Sequence, residues 1–323
     1  MPEIKRLAIL DDYQGLTLSH PDWARLPGIE KTVFQDTLKD EDALVARLAP
    51  FDAILAMRER TPFPRSLIER LPNLKLLITT GERNRGIDDA ACKERGITLC
   101  GTSSFGAPTV EITWGLIINM MRGLPEQAES MRAGNWQRQT LLGGVGSTVE
   151  GKTLGVVGLG KLGTRVAKVG QAFGMKVVAW SQNLTDEAAA AVGATRVSKE
   201  ELLRTADVVT LHLLLSERSR GIIAAPDLAL MKKSAIIINT SRGPLIDQDA
   251  LIAALKAGTI AGAGIDVYDI EPIPPAHPLL SAPHALLTPH LGYVSAENFA
   301  QYFKGAVEVI EAYLAGSPIR IIG

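Results

Sequence analysis

The sequence has no excess of basic charge, few cysteines and no long apolar run, which argues against nucleic-acid-binding, disulfide-rich and membrane-spanning proteins. Its 34 Lys and Arg residues are balanced by 35 Asp and Glu residues, so a broad phosphate-binding surface for nucleic acid is not expected. Its two cysteines, Cys92 and Cys100, are too few for a disulfide framework, and no Cys/His spacing typical of a metal site surrounds them. No apolar run approaches the ~20 residues that span a bilayer, and the apolar stretch 7–10 is too short for a secretory signal. We therefore expect a cytoplasmic protein without nucleic-acid, membrane or metal partners.

What the sequence does contain is an alternation of short apolar runs with longer amphipathic ones. The 323 residues are about twice the ~150 of a typical domain, and an apolar fraction of 46% supports a substantial core. Runs that are apolar throughout are typical of parallel strands covered by helices on both faces. In the first third of the chain we predict strands at 7–10, 53–57, 74–79 and 97–100 and helices at 41–48 and 66–71.

A second, more regular series begins near residue 153, after a turn-rich stretch at 101–108 and a helix predicted at 109–121. Its predicted strands are 154–157, 176–180, 208–213, 235–240, 263–268 and 285–288, and its predicted helices are 162–173, 199–205, 226–231 and 249–257. Six such strands suit a doubly wound dinucleotide-binding sheet. A last helix at 295–314 can cross back to complete the first domain. The sequence thus predicts two α/β domains with a cleft between them, the first one discontinuous.

Between a predicted strand and a predicted helix lies the fingerprint Gly158-Leu159-Gly160-Lys161-Leu162-Gly163. Gly158 permits a tight turn, Gly160 lets the backbone approach a pyrophosphate, and Gly163 lets helix and strand pack closely. The helix N-terminus adds amide donors and a favourable dipole. In this context the six residues predict a bound dinucleotide; the alternative is a glycine turn without a ligand.

The position that usually selects the cofactor is neutral here. An acid about 20 residues after the fingerprint normally holds the ribose hydroxyls, but the next strand ends in Trp180-Ser181-Gln182-Asn183. Ser181 removes the repulsion that would exclude the 2′-phosphate of NADP, and no nearby Arg or Lys is present to bind that phosphate. Asp186 and Glu187 would oppose it if they lie close. The choice between NAD and NADP stays open.

Three polar residues directly follow strands of the second series, where ligands bind in open α/β sheets. Arg242 lies in Asn239-Thr240-Ser241-Arg242-Gly243, Glu271 precedes Pro272, and His290 lies in Thr288-Pro289-His290. An arginine can bind a carboxylate and polarise an adjacent carbonyl. A histidine can exchange a proton near neutral pH, and a carboxylate beside it fixes its orientation. Each residue alone has a structural alternative, but the three together predict an active site.

These motifs resemble the D-isomer-specific 2-hydroxyacid dehydrogenases, a family that includes glyoxylate/hydroxypyruvate reductases and phosphoglycerate dehydrogenase. The resemblance covers nearly the whole chain and implies a Rossmann-type nucleotide domain, residues 102–290, inserted into a discontinuous flavodoxin-like substrate domain, residues 1–101 and 291–323. It implies that Arg242 binds and polarises the 2-keto acid, that His290 is the general acid/base and that Glu271 supports His290. Cofactor contacts are implied for Ser181, His212, Thr240 and Asp266. A homodimer formed through the nucleotide domain is also implied.

Two segments depart from the family pattern. The family usually carries a G-x-G-x-D loop whose amides help to bind the substrate carboxylate, whereas this chain has Arg83 in place of the second glycine and Arg85 in place of the aspartate. A second departure is Leu214, where the family usually has proline, so we expect a local change in the loop after His212.

From the first departure we predict that Arg58, Gly81, Glu82 and Arg83 contact the substrate. One or more of Arg58, Arg60 and Arg83 would read a second anionic group on it. The alternative is a charge-balanced surface loop, with Glu59 and Glu82 as partners.

The function predicted is hydride transfer between NAD(P)H and a 2-keto acid/D-2-hydroxy acid pair. A nucleotide-sensing binding protein of the corepressor type is one alternative, although the short chain ends leave little room for partner-binding segments. Within the enzyme class, phosphoglycerate dehydrogenase is another alternative, although no extra regulatory domain is expected after the last predicted helix.

Overall fold

The chain divides into two units in the computed structural model, which describes residues 3–140, 142 and 144–323. The first unit joins the chain up to Phe105 with Ser295–Gly323, and the second comprises Gly106–Val294. The first unit is therefore discontinuous in sequence. The assignment of a substrate domain and a nucleotide domain, with boundaries after residues 101 and 290, stays a prediction.

Each unit is built on one parallel sheet. The strands are β1 (Arg6–Ile9), β2 (Glu30–Val33), β3 (Ala53–Ala56), β4 (Leu76–Thr79), β5 (Thr98–Gly101), β6 (Thr153–Val157), β7 (Lys176–Trp180), β8 (Thr195–Arg196), β9 (Val208–Leu211), β10 (Ile236–Asn239), β11 (Gly262–Ile265) and β12 (Ala285–Leu287). The first sheet has the order β2-β1-β3-β4-β5 and the second β12-β11-β10-β9-β6-β7-β8. The first order is that of flavodoxin-like sheets, and the second is a Rossmann order extended at its β12 edge. The predicted α/β class with two doubly wound sheets is confirmed.

Helices connect the strands. They are α1 (Glu41–Leu48), α2 (Arg65–Ile68), α3 (Asp89–Glu94), α4 (Ala107–Arg122), α5 (Leu124–Arg132), α6 (Lys161–Ala172), α7 (Asp186–Ala190), α8 (Lys199–Thr205), α9 (Ala225–Leu230), α10 (Gln248–Ala257) and α11 (Ala296–Leu314). Several begin at a side-chain cap: Asp40, Asp88 and Asp247 each accept a backbone N–H from the first turn of the helix that follows. No helix of the described residues is long and apolar enough to cross a membrane.

The central strands are apolar because helices cover both faces of each sheet. All residues of β3 and β4 in the first unit are buried, as are those of β9, β10 and β11 in the second. All strand pairs are parallel, so the carboxyl ends of the strands in one sheet meet at one edge. The turns that follow β6, β9, β10, β11 and β12 accordingly bring the candidate residues of the second unit together.

Candidate active site

The glycine fingerprint forms the turn between β6 and α6. Gly158 has a φ of 102°, which a residue with a side chain rarely adopts, and a Cβ on Gly163 would overlap the carbonyl oxygen of Gly158. A Cβ on Gly160, in contrast, would meet nothing within 4 Å. The side chains of Leu159 and Leu162 pack against the core, whereas Lys161 is exposed.

The same turn leaves room for a phosphate at the start of α6. This helix of 12 residues begins without a side-chain cap, and the space beside Gly160 at its start is open. A backbone that is accessible at Gly160, next to a long helix without a cap, fits the pyrophosphate of a dinucleotide.

Ser181 and His212 flank this turn on the neighbouring strands. The Trp180 carbonyl accepts the Gly158 N–H at 2.8 Å, which places Ser181 beside the turn, and the His212 N–H donates to Val157 at 2.8 Å on the other side. His212 Nε2 lies 2.9 Å from the Thr210 hydroxyl, while its Nδ1 is buried without a hydrogen-bond partner among the described residues. Burial lowers the pKa of His212 to about 4, so the ring is neutral at pH 7.

Hydrogen bonds made by the Asn239 side chain hold the turn that carries Arg242. The Asn239 amide donates to the Arg242 carbonyl at 2.9 Å and accepts the Ser241 N–H at 3.1 Å. The Ser241 hydroxyl donates to the Leu213 carbonyl at 2.6 Å, which ties this turn to the loop after β9. Because Gly243 lies against the backbone of Tyr268, the Arg242 turn also lies beside the segment that leads to Glu271.

Glu271 and His290 form a hydrogen-bonded pair. Glu271 Oε2 lies 2.7 Å from His290 Nδ1, and Oε1 accepts the Tyr268 N–H at 2.8 Å. Both side chains are largely covered, with 19% and 18% of their surface exposed. Because an ionised carboxylate only accepts, Nδ1 carries the proton of this bond, and Nε2 is left to exchange a proton with a ligand. The ring of Tyr293 packs edge-on against the imidazole, with 5.5 Å between the centroids.

Asp266 holds the turn on which His290 lies. His290 adopts a left-handed backbone conformation, with φ 52° and ψ 57°, which costs a non-glycine residue about 1 kcal/mol. Asp266 is fully buried and accepts hydrogen bonds from the Thr288 hydroxyl at 2.6 Å and from the amides of Leu291 at 2.7 Å and Gly292 at 2.8 Å. Burial raises the pKa of Asp266 above its usual range, which these hydrogen bonds partly offset. Its described contacts therefore position His290, and its contact with the cofactor stays a prediction.

In the first unit, Arg58 and Gly81 lie in direct contact. Arg58 has a φ of 52°, its N–H donates to the Thr80 hydroxyl at 2.9 Å, and its Nη1 donates to the Thr80 carbonyl at 3.2 Å. A Cβ on Gly81 would overlap the Arg58 guanidinium, and Gly81 has a φ of 91°. The nearest carboxylate oxygen of Glu59 is 3.9 Å from Arg58 Nε, a long and weak ion pair.

The rest of this loop differs from the pattern expected from the family. The Gly81 N–H donates to the Thr102 hydroxyl at 2.9 Å, so this amide is already engaged within the protein. Glu82 and Arg83 follow as exposed residues, and no described residue forms a hydrogen bond or an ion pair with the Arg83 side chain. Asn84 donates to the Arg58 carbonyl at 2.6 Å and so holds the loop near the end of β3.

The structure thus brings the predicted residues of each unit together separately. The fingerprint, Ser181, His212, Thr240, Arg242, Asp266, Glu271 and His290 share the carboxyl edge of the second sheet, whereas Arg58, Gly81, Glu82 and Arg83 share two loops of the first. Sequence reasoning missed Asn239 and Tyr268 as supports of Arg242 and Glu271. Asn239 could have been found from its position three residues before Arg242. Tyr268 supports Glu271 through its backbone amide, which no side-chain pattern in the sequence indicates.

Known proteins resemble both the sequence and the fold. The family model described as D-isomer specific 2-hydroxyacid dehydrogenase, NAD binding domain, matches residues 114–292. The D-3-phosphoglycerate dehydrogenase of Methanocaldococcus jannaschii is 36% identical over 90% of this chain, which spans only 53% of that protein. The glycerate dehydrogenase of Methylorubrum extorquens is 35% identical, over 84% of this chain and 85% of that protein. A phosphoglycerate oxidoreductase structure from Vibrio cholerae superposes with a TM-score of 0.92 at 39% identity, covering 97% of this chain and 100% of that one.

Proposed function

The chain belongs to the D-isomer-specific 2-hydroxyacid dehydrogenase family, and from this premise we propose that it interconverts a 2-keto acid and the corresponding D-2-hydroxy acid with NAD(P)H. The observation that carries the proposal is the Glu271–His290 pair at the strand edge that also bears Arg242 and the glycine fingerprint. Proton donor, carboxylate-binding cation and nucleotide turn are the groups that such a reduction needs. The named relatives are two dehydrogenases and an oxidoreductase, which favours the enzyme over a corepressor.

The cofactor would be held by the fingerprint backbone from Gly158 to Gly163, with Ser181, His212, Thr240 and Asp266 around it. When bound, its nicotinamide exchanges a hydride with the substrate carbon. Both NAD and NADP remain candidates. Ser181 is neutral, and an ion pair with Arg196, at 3.5 Å, offsets the negative charge of Asp186, which would otherwise oppose the 2′-phosphate of NADP.

The residues of the second unit divide the chemistry between them. Arg242 binds the substrate carboxylate and stabilises the negative charge that develops on the carbonyl oxygen during reduction. His290, protonated on both nitrogens, donates the Nε2 proton to that oxygen. Glu271 accepts the hydrogen bond from the Nδ1 N–H throughout, so it fixes the ring and leaves Nε2 to the substrate. Oxidation runs through the same groups in reverse.

Substrate selection is proposed for the first unit. Arg58, Gly81, Glu82 and Arg83 would recognise the part of the acid beyond its keto carboxylate, and the exposed Arg83 suits a second anionic group there. The supporting observation is that no described acid pairs with Arg83, whereas a charge-balanced surface loop would pair it with Glu82.

A homodimer is proposed from the surface of the second unit. In α5 and in the segment between α5 and β6, three large apolar side chains are exposed: Met131 at 55%, Trp136 at 72% and Val145 at 90%. Tryptophan and methionine are enriched at protein interfaces. Sedimentation of the wild type and of Trp136→Glu tests this, because the substitution is expected to shift the protein towards monomer. A cytoplasmic location is proposed with it.

The proposed activity is tested by initial rates. NADH and NADPH are assayed in parallel against glyoxylate, hydroxypyruvate, pyruvate, phosphohydroxypyruvate and a dicarboxylic keto acid, and the product is resolved on a chiral column. We expect turnover with a D-2-hydroxy acid as the product. An L product, or no turnover by protein with verified cofactor binding, contradicts the proposal.

A further inference from the structure

A line of three threonine hydroxyls joins the turn that carries Arg242 to the turn that carries His290. Thr240 directly follows β10, and its hydroxyl lies 2.7 Å from that of Thr113 on α4. The Thr113 hydroxyl lies 2.8 Å from the carbonyl of Thr109, one helical turn earlier. The Thr109 hydroxyl in turn donates to the Gly292 carbonyl at 2.6 Å.

The chemistry of the groups fixes the direction of this line. A hydroxyl has one proton, and that of Thr113 is donated to the Thr109 carbonyl, which can only accept. In the contact between the two hydroxyls, Thr240 is therefore the donor and Thr113 the acceptor. The Thr240 proton is thus engaged within the protein, and its oxygen acts only as an acceptor towards anything that binds beside it.

Packing alone does not require these hydroxyls. Thr113 is fully buried on the face of α4 that also carries the buried Leu116 and Ile117, and Thr240, after β10, is 4% exposed. Valine has nearly the same shape as threonine, and burying a hydroxyl carries a desolvation cost that only its hydrogen bonds offset. The Thr113 hydroxyl bonds directly to the Arg242 turn and, within α4, to Thr109, whose own hydroxyl reaches the His290 turn. Valine at position 113 would leave the Thr240 hydroxyl without its acceptor.

The far end of the line meets the backbone that supports His290. A Cβ on Gly292 would lie 3.1 Å from Asp266 Oδ2 and 3.6 Å from the Thr109 methyl, so this residue is enclosed between the two. Its amide donates to Asp266 and its carbonyl accepts from Thr109. A shift of α4 at Thr109 would therefore be transmitted to the turn that holds His290.

We propose that Thr113 is a positioning residue that keeps the Arg242 turn and the His290 turn in a fixed relation through Thr240 and Thr109. This rests on the proposed function, because it assigns substrate binding to the first turn and proton donation to the second. Small displacements of reacting groups cost large factors in rate, so a buried residue that touches no reactant can control both parameters.

The kinetic test compares variants that differ by one hydroxyl. Thr113→Val is expected to lower kcat/KM about tenfold, with a lower kcat and a higher KM for the keto acid, because both turns lose their link. Thr109→Val is expected to lower kcat alone, since it disconnects only the His290 turn. Thr113→Ser keeps the hydroxyl and should restore nearly full activity. Thr205→Val is the control: Thr205 makes the same intrahelical bond, to Glu201 at 2.7 Å, on α8.

A second readout does not depend on turnover. Hydrogen exchange of peptides covering residues 239–243 and 288–292 should become faster in both segments of Thr113→Val, only in the second of Thr109→Val, and in neither of Thr205→Val. Absence of turnover in the wild type would refute the proposed function, while the exchange data would still decide the positioning role. Unchanged kinetics and exchange in Thr113→Val, or an equal loss in Thr113→Ser, overturn the inference. If Thr113→Val does not fold, an unchanged kcat in Thr109→Val overturns it.

Discussion

The carboxyl edges of the two sheets are organised in opposite ways. In the second unit the reactive side chains are bound to fixed partners: His290 to Glu271 at 2.7 Å, and Glu271 to the Tyr268 amide at 2.8 Å. In the first unit Arg83 is exposed, and no described residue forms a hydrogen bond or an ion pair with its side chain. Proton transfer needs fixed geometry. The difference supports the proposal that the chemistry is located in the second unit and substrate choice in the first.

The carboxyl edge of the second sheet also has an energetic cost, which its hydrogen bonds offset. The left-handed turn at His290 is unfavourable by about 1 kcal/mol, and burial of Asp266 disfavours its charged form. Three hydrogen bonds to Asp266 compensate, since each bond to a charged group contributes about 1.5–3 kcal/mol. The first-unit loop has its own constraint in Arg58, which occupies the space that a Cβ on Gly81 would take.

The largest effect is expected for His290, the proposed proton donor. His290→Asn should lower kcat by about 1,000-fold, because a positioned acid contributes roughly 100- to 10,000-fold to such a step. The fluorescence-measured Kd of NADH or NADPH should stay unchanged, since the fingerprint is untouched. A variant that keeps a tenth or more of the wild-type kcat would show that the fixed pair does not perform the transfer.

The buried His212 at the carboxyl edge of the second sheet should make the free energy of unfolding depend on pH. Burial lowers the pKa of His212 to about 4, whereas the unfolded chain protonates near the ordinary value of about 6.5. Between these values the unfolded state binds more protons, so the free energy of unfolding falls as the pH drops, by about 2 kcal/mol at pH 5. Urea unfolding of cofactor-free protein at pH 7 and pH 5 measures this. In His212→Asn this part of the fall in the free energy of unfolding should be absent. An equal fall between pH 7 and pH 5 in the two proteins would refute a buried neutral His212 ring.

On the first-unit side, Gly81→Ala should displace Arg58. We expect KM for the keto acid to rise about tenfold with little change in kcat, since the affected residue binds but does not react. Gly96→Ala is the matched control, because Gly96 also has a positive φ, 68°, but a Cβ there would meet nothing within 4 Å. Both substitutions carry about 1 kcal/mol of backbone strain. An equal effect of the two on KM would mean that strain, and not Arg58, causes the change.

The smallest expected effect concerns the exposed charge of Arg83. Arg83→Ala should raise KM about three- to fivefold for acids with a second anionic group and leave glyoxylate unaffected, because an exposed ion pair contributes less than about 1 kcal/mol. Arg85→Ala, two residues along the same loop, provides the comparison. If KM is unchanged for every active acid, Arg83 has no part in substrate selection.

The strands that pack in the sheet centres could be predicted from sequence, and the exposed elements could not. The apolar runs at 53–57 and 176–180 correspond to β3 and β7 within one residue. In contrast, β2 and the two-residue β8 were missed. Both are edge strands without a continuous apolar run: β2 is only partly buried, and β8 is exposed. Three helices, α3, α5 and α7, were also missed. They are short or strongly polar, and tertiary contacts stabilise them more than their own sequence does.

For the site, residues at strand ends were predictable and their supports were not. Arg242, Glu271 and His290 each follow a predicted strand, and that position, their side-chain chemistry and the family resemblance together marked them. The bond from Gly292 to Asp266 spans 26 residues and that from Thr240 to Thr113 spans 127, so no local pattern reveals either. Likewise, Gly81 was recognisable as a loop glycine, but the Arg58 guanidinium above it depends on two strands lying side by side.

The central claim is that Glu271 prepares His290 to donate a proton to the keto acid. The most direct test is kcat for reduction, with saturating NADH or NADPH, in the wild type, Glu271→Ala, His290→Asn and the double variant. Glu271→Ala should lower kcat, because His290 loses the acceptor that fixes its ring, but it should cause no further loss when it is added to His290→Asn. A loss of the same factor in both backgrounds would contradict the account.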